Sequence, residues 1–140
     1  MRKLLFTLLS AVSLALVLTA CNNSHEDWSW DPMQWQFSAT TATDSLGEHV
    51  VVPTQGATYR FVCKNYNWFW VQSVTENDTV RSFGAADIKA RSYTARFTTV
   101  QWNADTLQVT ITRNSTGRPR RATIGIEAGD VFCQWRFVQQ

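Results

Sequence analysis

Cys21, Cys63 and Cys133 are the three thiols of this 140-residue chain, and their settings point to two different chemistries. Cys21 follows small residues at the end of an apolar run, where chain cleavage and acylation of the new N-terminal cysteine would occur. Cys63 and Cys133 are an even pair in alternating segments, suited to a disulfide in an oxidising compartment. Other routes to chemistry are thin. His25 lies in a polar stretch, and His49 merely precedes Val50-Val51-Val52. No cysteine adjoins a histidine, no Gly-x-Ser-x-Gly occurs, and no two histidines have metal-ligand spacing. Glu76/Asp78 and Glu127/Asp130 could act as paired carboxylates, but each pair flanks a turn signal, where acids are ordinary. The expectation is a protein that is not an enzyme, with no cofactor and no metal.

The N-terminus is organised for export. Arg2 and Lys3 precede an apolar run from Leu4 to Val17, and Leu18-Thr19-Ala20-Cys21 closes it. That is the layout of a secretory signal, and it is short for a membrane span of about 20 residues. The last four residues resemble a bacterial lipobox. Residues 1–20 are therefore expected to be a signal peptide, Cys21 the lipidation site, 21–33 a tether and N-terminal arm, and 34–140 one domain. Two or more acyl chains anchor a protein stably, which makes the membrane a partner through lipid. Ser24-His25-Glu26-Asp27 places acids soon after the cysteine, like an acidic export signal of surface lipoproteins. The predicted location is the outer membrane; the acids lean toward its outer face, and a merely polar tether leaves the face open. Arg2 and Lys3 also account for the formal charge of +2, so the exported part is neutral and has no electrostatic case for nucleic acid.

The elements that must position these residues read as strands. Tyr59, Phe61 and Cys63 share one parity, opposite Arg60 and Lys64. Val131, Cys133, Trp135 and Phe137 do the same, opposite Gln134 and Arg136. Both cysteines thus point into an apolar layer, and a bridge would close a loop of about 70 residues, worth about 4 kcal/mol in the chain-entropy treatment. Two buried free thiols are the alternative. Leu107 to Ile111 is the cleanest strand, and Ala122 to Glu127 alternates through Ile124 and Ile126. Turn signals recur at Asp44-Ser45-Leu46-Gly47, Gln55-Gly56, Glu76-Asn77-Asp78, Asn114 to Pro119 and Gly129-Asp130. Ile88 to Trp102 is β-rich but not separable into elements, and no window offers an amphipathic helix. Short strands at this spacing predict an all-β sandwich of about seven to eight strands.

Residues 55–140 also resemble the BACON domain, an immunoglobulin-like β-sandwich module of bacterial surface and periplasmic proteins. Asn65 and Trp68 take its early Asn and Trp. Leu107, Val109 and Ile111 lead to Asn114, Arg121-Ala122-Thr123-Ile124 follow, Gly129 supplies a turn, and Phe137-Val138-Gln139 closes the domain. Trp70, Cys63, Cys133 and Trp135 depart from the family pattern. The resemblance implies an immunoglobulin-like fold and, through frequent placement beside carbohydrate-active modules, glycan binding. Trp68 would then plug the sandwich centre, with Trp70 inside as well. Asn114 would bond its own turn, and Gln139 would tie neighbouring loop backbone to the last strand.

Seven Trp is a high count. With Trp68 and Trp70 inside, Phe69 and Val71 would lie outside or beneath Trp28, Trp30 and Trp35 of a folded-back arm. Phe69, Tyr93 and Trp102 are the predicted ligand-binding platform. An aromatic platform flanked by amides and acids would favour a glycan. A flat apolar patch or open sheet edge would favour an envelope protein partner, as in a structural accessory subunit. A spacer role is weakened because no second module is present. Asp44-Ser45-Leu46, Asp78-Thr79-Val80 and Asp105-Thr106-Leu107 each resemble an O-glycan acceptor, marking Ser45, Thr79 and Thr106.

Overall fold

The structure, a computed structural model, describes residues 30–140. The signal peptide, Cys21 and Trp28 lie outside the described residues. Among the described residues, eleven strands and one short helix follow in order. They are β1 (Trp35–Phe37), β2 (Thr41–Asp44), β3 (Gly47–Val52), β4 (Ala57–Cys63), β5 (Trp70–Glu76), β6 (Thr79–Ser82), α1 (Ala85–Ala90), β7 (Ser92–Thr94), β8 (Thr98–Asn103), β9 (Thr106–Ile111), β10 (Arg120–Ala128) and β11 (Val131–Gln139). One sheet has the order β1-β4-β9-β8-β7 and the other β2-β3-β11-β10-β5-β6. All pairings are antiparallel except β3 with β11. Strands β1, β4, β9 and β8 reproduce one immunoglobulin sheet, and β11, β10, β5 and β6 the other. The fold is an immunoglobulin-like β-sandwich. Its strand count exceeds the expected seven to eight because the three-residue β1 and β7 and the four-residue β2 extend the sheet edges. The helix at the start of the Ile88 to Trp102 stretch was not expected either; it has six residues, none of them buried, and hence no apolar stripe to detect.

Alternation builds the core. Tyr59, Phe61 and Cys63 of β4 are buried, as are Leu107, Val109 and Ile111 of β9 and Ile124, Ile126 and Ala128 of β10. Both predicted cysteine-bearing faces point inward. At one end the interior is aromatic: Trp35 meets Phe61, Phe69 and Trp135 edge-on at 6.5, 5.4 and 6.0 Å, and Phe61 lies 4.3 Å from Trp135. Burying each such side chain stabilises the fold by about 1.5–3 kcal/mol.

The disulfide expected between Cys63 and Cys133 is not formed; both are free thiols. Cys63 Sγ donates to Asn65 Oδ1 at 3.6 Å. Burial raises the Cys133 pKa, while the nearby Trp35 indole N–H favours its thiolate without completing a hydrogen bond. Trp35 is the register partner of Cys63 and neighbours both thiols, and Cys63 is itself near enough to add to the rise in the Cys133 pKa.

A β-bulge corrects a second expectation. Gly125 pairs with Ser73 and Ile126 with Val71, which leaves Gln72 as an extra residue on β5. Counting back from buried Val74 by twos would put Gln72, Trp70 and Trp68 inside. The extra residue reverses the parity, so Val71 and Phe69 are buried at 0 and 6% exposure, while Trp68 is 53% exposed. Trp68 is not the central plug. Gly125 permits the bulge: a Cβ there would collide with the Ser73 hydroxyl.

Candidate ligand-binding face

Trp68 and Trp70 follow the corner Asn65-Tyr66-Asn67 between β4 and β5. The start of the described chain pins that corner. Gln34 N–H donates to Asn65 Oδ1 at 2.8 Å, Asn65 Nδ2 to the Pro32 carbonyl at 2.9 Å, and Tyr66 Oη to the Asp31 carbonyl at 2.7 Å. The held backbone then carries Trp68 outward, where its ring stacks on Trp70 with centroids 5.7 Å apart and planes 20° from parallel. The far edge of the Trp68 ring overlies Gly129 in the β10–β11 turn, where any Cβ would sit 3.8 Å away. Trp70, Glu127 and Phe132 are register neighbours across β5, β10 and β11. Phe132 is 65% exposed, so rings lie on both sides of a carboxylate.

On its other side the ring pair walls a groove of about 480 Å³. Its rim holds Asn67, Lys89 and Arg91, and Phe69 and Trp102 contribute to its floor. Arg91 caps α1 in the left-handed conformation, at φ 54°, with its N–H donated to the Ile88 carbonyl. Its guanidinium donates to Asn103 Oδ1 at 2.8 Å, and Arg91 is part of the groove lining. Asp87, the acid of α1, is spent elsewhere: it accepts from the Gly84 N–H at 3.0 Å and pairs with Arg81 at 3.2 Å. The Gly84 N–H first, and Arg81 also, hold its carboxyl below the ordinary range.

The predicted platform is thereby corrected. Phe69 and Trp102 are core residues at 6 and 4% exposure, and Tyr93 is half-buried. Tyr93 and Trp102 are drawn together by Phe83, whose ring is 4.9 and 6.1 Å from theirs, whereas Phe69 packs on Trp35. Of three residues chosen as exposed, two became part of the floor, and Tyr93 lines a different groove. The missed pair, Trp68 and Trp70, was visible only as the other parity of the same apolar run. Of the folded-back arm, Trp35 is core and Trp30 is 65% exposed.

A second groove of about 370 Å³ lies between β6 and β7, with Tyr93, Glu76, Asp78, Arg81 and Arg96 along it. Two of its charged groups are already committed. Both Glu76 oxygens accept backbone N–H groups, from Phe97 at 2.8 Å and Arg96 at 3.0 Å, and Arg81 is paired. Among the acceptor triplets, Ser45 and Thr79 are exposed beside turns. The Thr106 hydroxyl is half-buried, donates to Asp105 Oδ1 and accepts from Arg60. Among the described residues no three His, Cys, Asp or Glu gather as metal ligands, and no helix is long and apolar enough to cross a membrane.

The architecture and the exposed ring pair define an immunoglobulin-like domain with an aromatic face. No family model and no curated protein matches the chain. Among solved structures it is similar to a protein from Bacteroides thetaiotaomicron determined by NMR, with 29% identity, a TM-score of 0.69, and coverage of 86% of this chain and 96% of that one. It also aligns with titin M4, at 7% identity and a TM-score of 0.40 over 80% of this chain and 98% of that one. A chimeric titin Z1Z2 aligns at 11% identity and a TM-score of 0.36, over 78 and 95%.

Proposed function

We propose that the protein is a non-catalytic lipoprotein of the outer membrane that binds glycan through the Trp68–Trp70 face, as a BACON-like module. One observation carries this reading: a stacked, half-open indole pair borders a groove rimmed by an amide and two cations. A sugar ring has an apolar C–H face and a hydroxyl perimeter. The indole supplies flat apolar area with few rotamers to freeze, and Asn67, Lys89 and Arg91 supply donors at its edge. Large apolar surface left in water at an interior-grade cost is the usual mark of a binding site.

Lipidation at Cys21 rests on the lipobox alone and is tested by intact mass after export, with the bare chain as the contrary result. For glycan binding, the test is retention of the purified chain on an oligosaccharide array. Trp68→Ala is expected to weaken retained glycans about tenfold, equivalent to about 1.4 kcal/mol, without lowering the melting temperature. Equal retention by wild type and Trp68→Ala would remove the face from the reading.

An envelope protein partner is the second reading, favoured by Phe132 and by the edge strand β6. All four β6 residues are exposed, Val80 at 63%. Such an edge offers unpaired backbone groups to another strand. Proline at Val80 would weaken that partner while leaving glycan retention intact.

A further inference from the structure

The charges around the groove narrow the ligand. We infer that the Trp68–Trp70 groove takes acidic glycans, those carrying carboxylate or sulfate on the sugar ring; this rests on the glycan reading above. The residues lining the groove include two cations, Lys89 and Arg91, and no carboxylate. The acids nearest in sequence and register, with exposed Asp130 beside the Gly129 that the Trp68 ring overlies, lie outside that lining. Asp87 is paired with Arg81 and capped by Gly84. Asp105 accepts from Thr106 and does not line the groove. Glu127 is the register partner of Trp70 on β10 and also lies outside the lining.

Lys89 is exposed and makes no ion pair among the described residues. Arg91 spends one nitrogen on Asn103 and keeps the rest of its fork available, the planar donor set that matches carboxylate and sulfate oxygens. The floor beneath them is apolar, formed in part by buried Phe69 and Trp102. A charge pair formed against such a floor is worth more than one in open water. Stacking on Trp68 would then set the ring, and the two cations would select its charge.

Basic residues are also present at the far end of the sandwich, where Arg118 and Arg121 are exposed beside Pro119, so the test must separate the two ends. The purified chain is titrated with oligosaccharides offered as matched pairs, oligogalacturonate against its methyl ester and chondroitin sulfate against its desulfated form. The acidic member is expected to bind at least tenfold tighter at low salt, with the margin shrinking at 0.3 M NaCl, about the screening expected of exposed charges. Lys89→Gln/Arg91→Gln should abolish the margin while leaving the neutral member within twofold. Lys89→Gln alone, at an exposed helical position, should halve it if the double variant unfolds. Equal affinity for both members, or a margin lost in Arg118→Gln/Arg121→Gln instead, overturns the acidic assignment and leaves glycan binding standing. Binding to no oligosaccharide, with capture on phosphatidylglycerol vesicles, overturns both and gives the face to an anionic membrane.

Discussion

The two ends of the sandwich use their polar and aromatic residues in opposite ways. At the end that gathers the β3–β4, β9–β10 and C-terminal segments, side chains are turned inward to hold backbone. Gln139 Nε2 donates to the carbonyls of Pro53, Thr54 and Thr112 at 2.8, 3.2 and 3.1 Å, and its Oε1 accepts from Arg120 Nε at 2.7 Å. Asn114 Oδ1 accepts from the Thr116 N–H and hydroxyl, while its Nδ2 donates to the Arg118 and Gln140 carbonyls. The Arg120 guanidinium lies 4.3 Å over the Phe97 ring. At the end that holds the β4–β5 corner, by contrast, polar groups fix the corner and tie Arg91 to Asn103, and Trp68, Phe132 and Trp30 stay open. The first end is consumed in making loops rigid. The second keeps apolar area and two cations in reserve, which is where binding energy can come from.

Mutations at the groove floor should have the largest effect and set the scale. Phe69→Ala or Trp102→Ala should destabilise by about 3–5 kcal/mol through cavity formation, read as a drop of many degrees in the thermal melt; little change would mean these rings are not core. At the consumed end, Gln139→Ala removes the amide bonds to Pro53, Thr54 and Thr112, whose carbonyls each keep one other donor, and the acceptor of Arg120 Nε. It should cost about 1–3 kcal/mol in urea unfolding and leave ligand affinity unaltered. A loss of affinity there would erase the contrast between the ends. Trp68→Ala should do the reverse, shifting stability by no more than about 0.5 kcal/mol while binding falls. Joint loss of stability and binding would mean the ring is structural.

The smallest effect concerns pH. Burial raises the Cys133 thiol pKa. A neutral thiol kept in the core adds stability that is full below the unfolded value of about 8.5 and is lost as pH rises through the higher folded value. Alkylation of Cys133 in the folded chain should accordingly begin at more alkaline pH than in urea. Coincident profiles would show that the thiol is in water.

Much of the fold was readable because alternation reports burial directly. The β4, β9, β10 and β11 faces emerged from parity, and the roles of Asn114 and Gln139 from turn chemistry at places the family pattern marked, since a turn needs its backbone bonded whatever surrounds it. The count of short edge strands was not, because three or four residues carry too little periodicity to be heard. Neither was α1, held by Asp87 on Gly84 rather than by a buried stripe.

The binding face shows where local reading ends. Trp68-Phe69-Trp70-Val71 is apolar on both parities, so its composition fixes that one set is buried and the other is not, without saying which. That choice was made by Gln72, a single unpaired residue opposite Gly125 whose bulge appears only once β5 meets β10. By itself, then, the chain determined an all-β sandwich with inward cysteines and bonded loop ends, each a consequence of period and turn chemistry. Which tryptophans face water, and that Lys89 and Arg91 stand beside them, were decided by packing between segments far apart in sequence, where register rather than residue type selects the face.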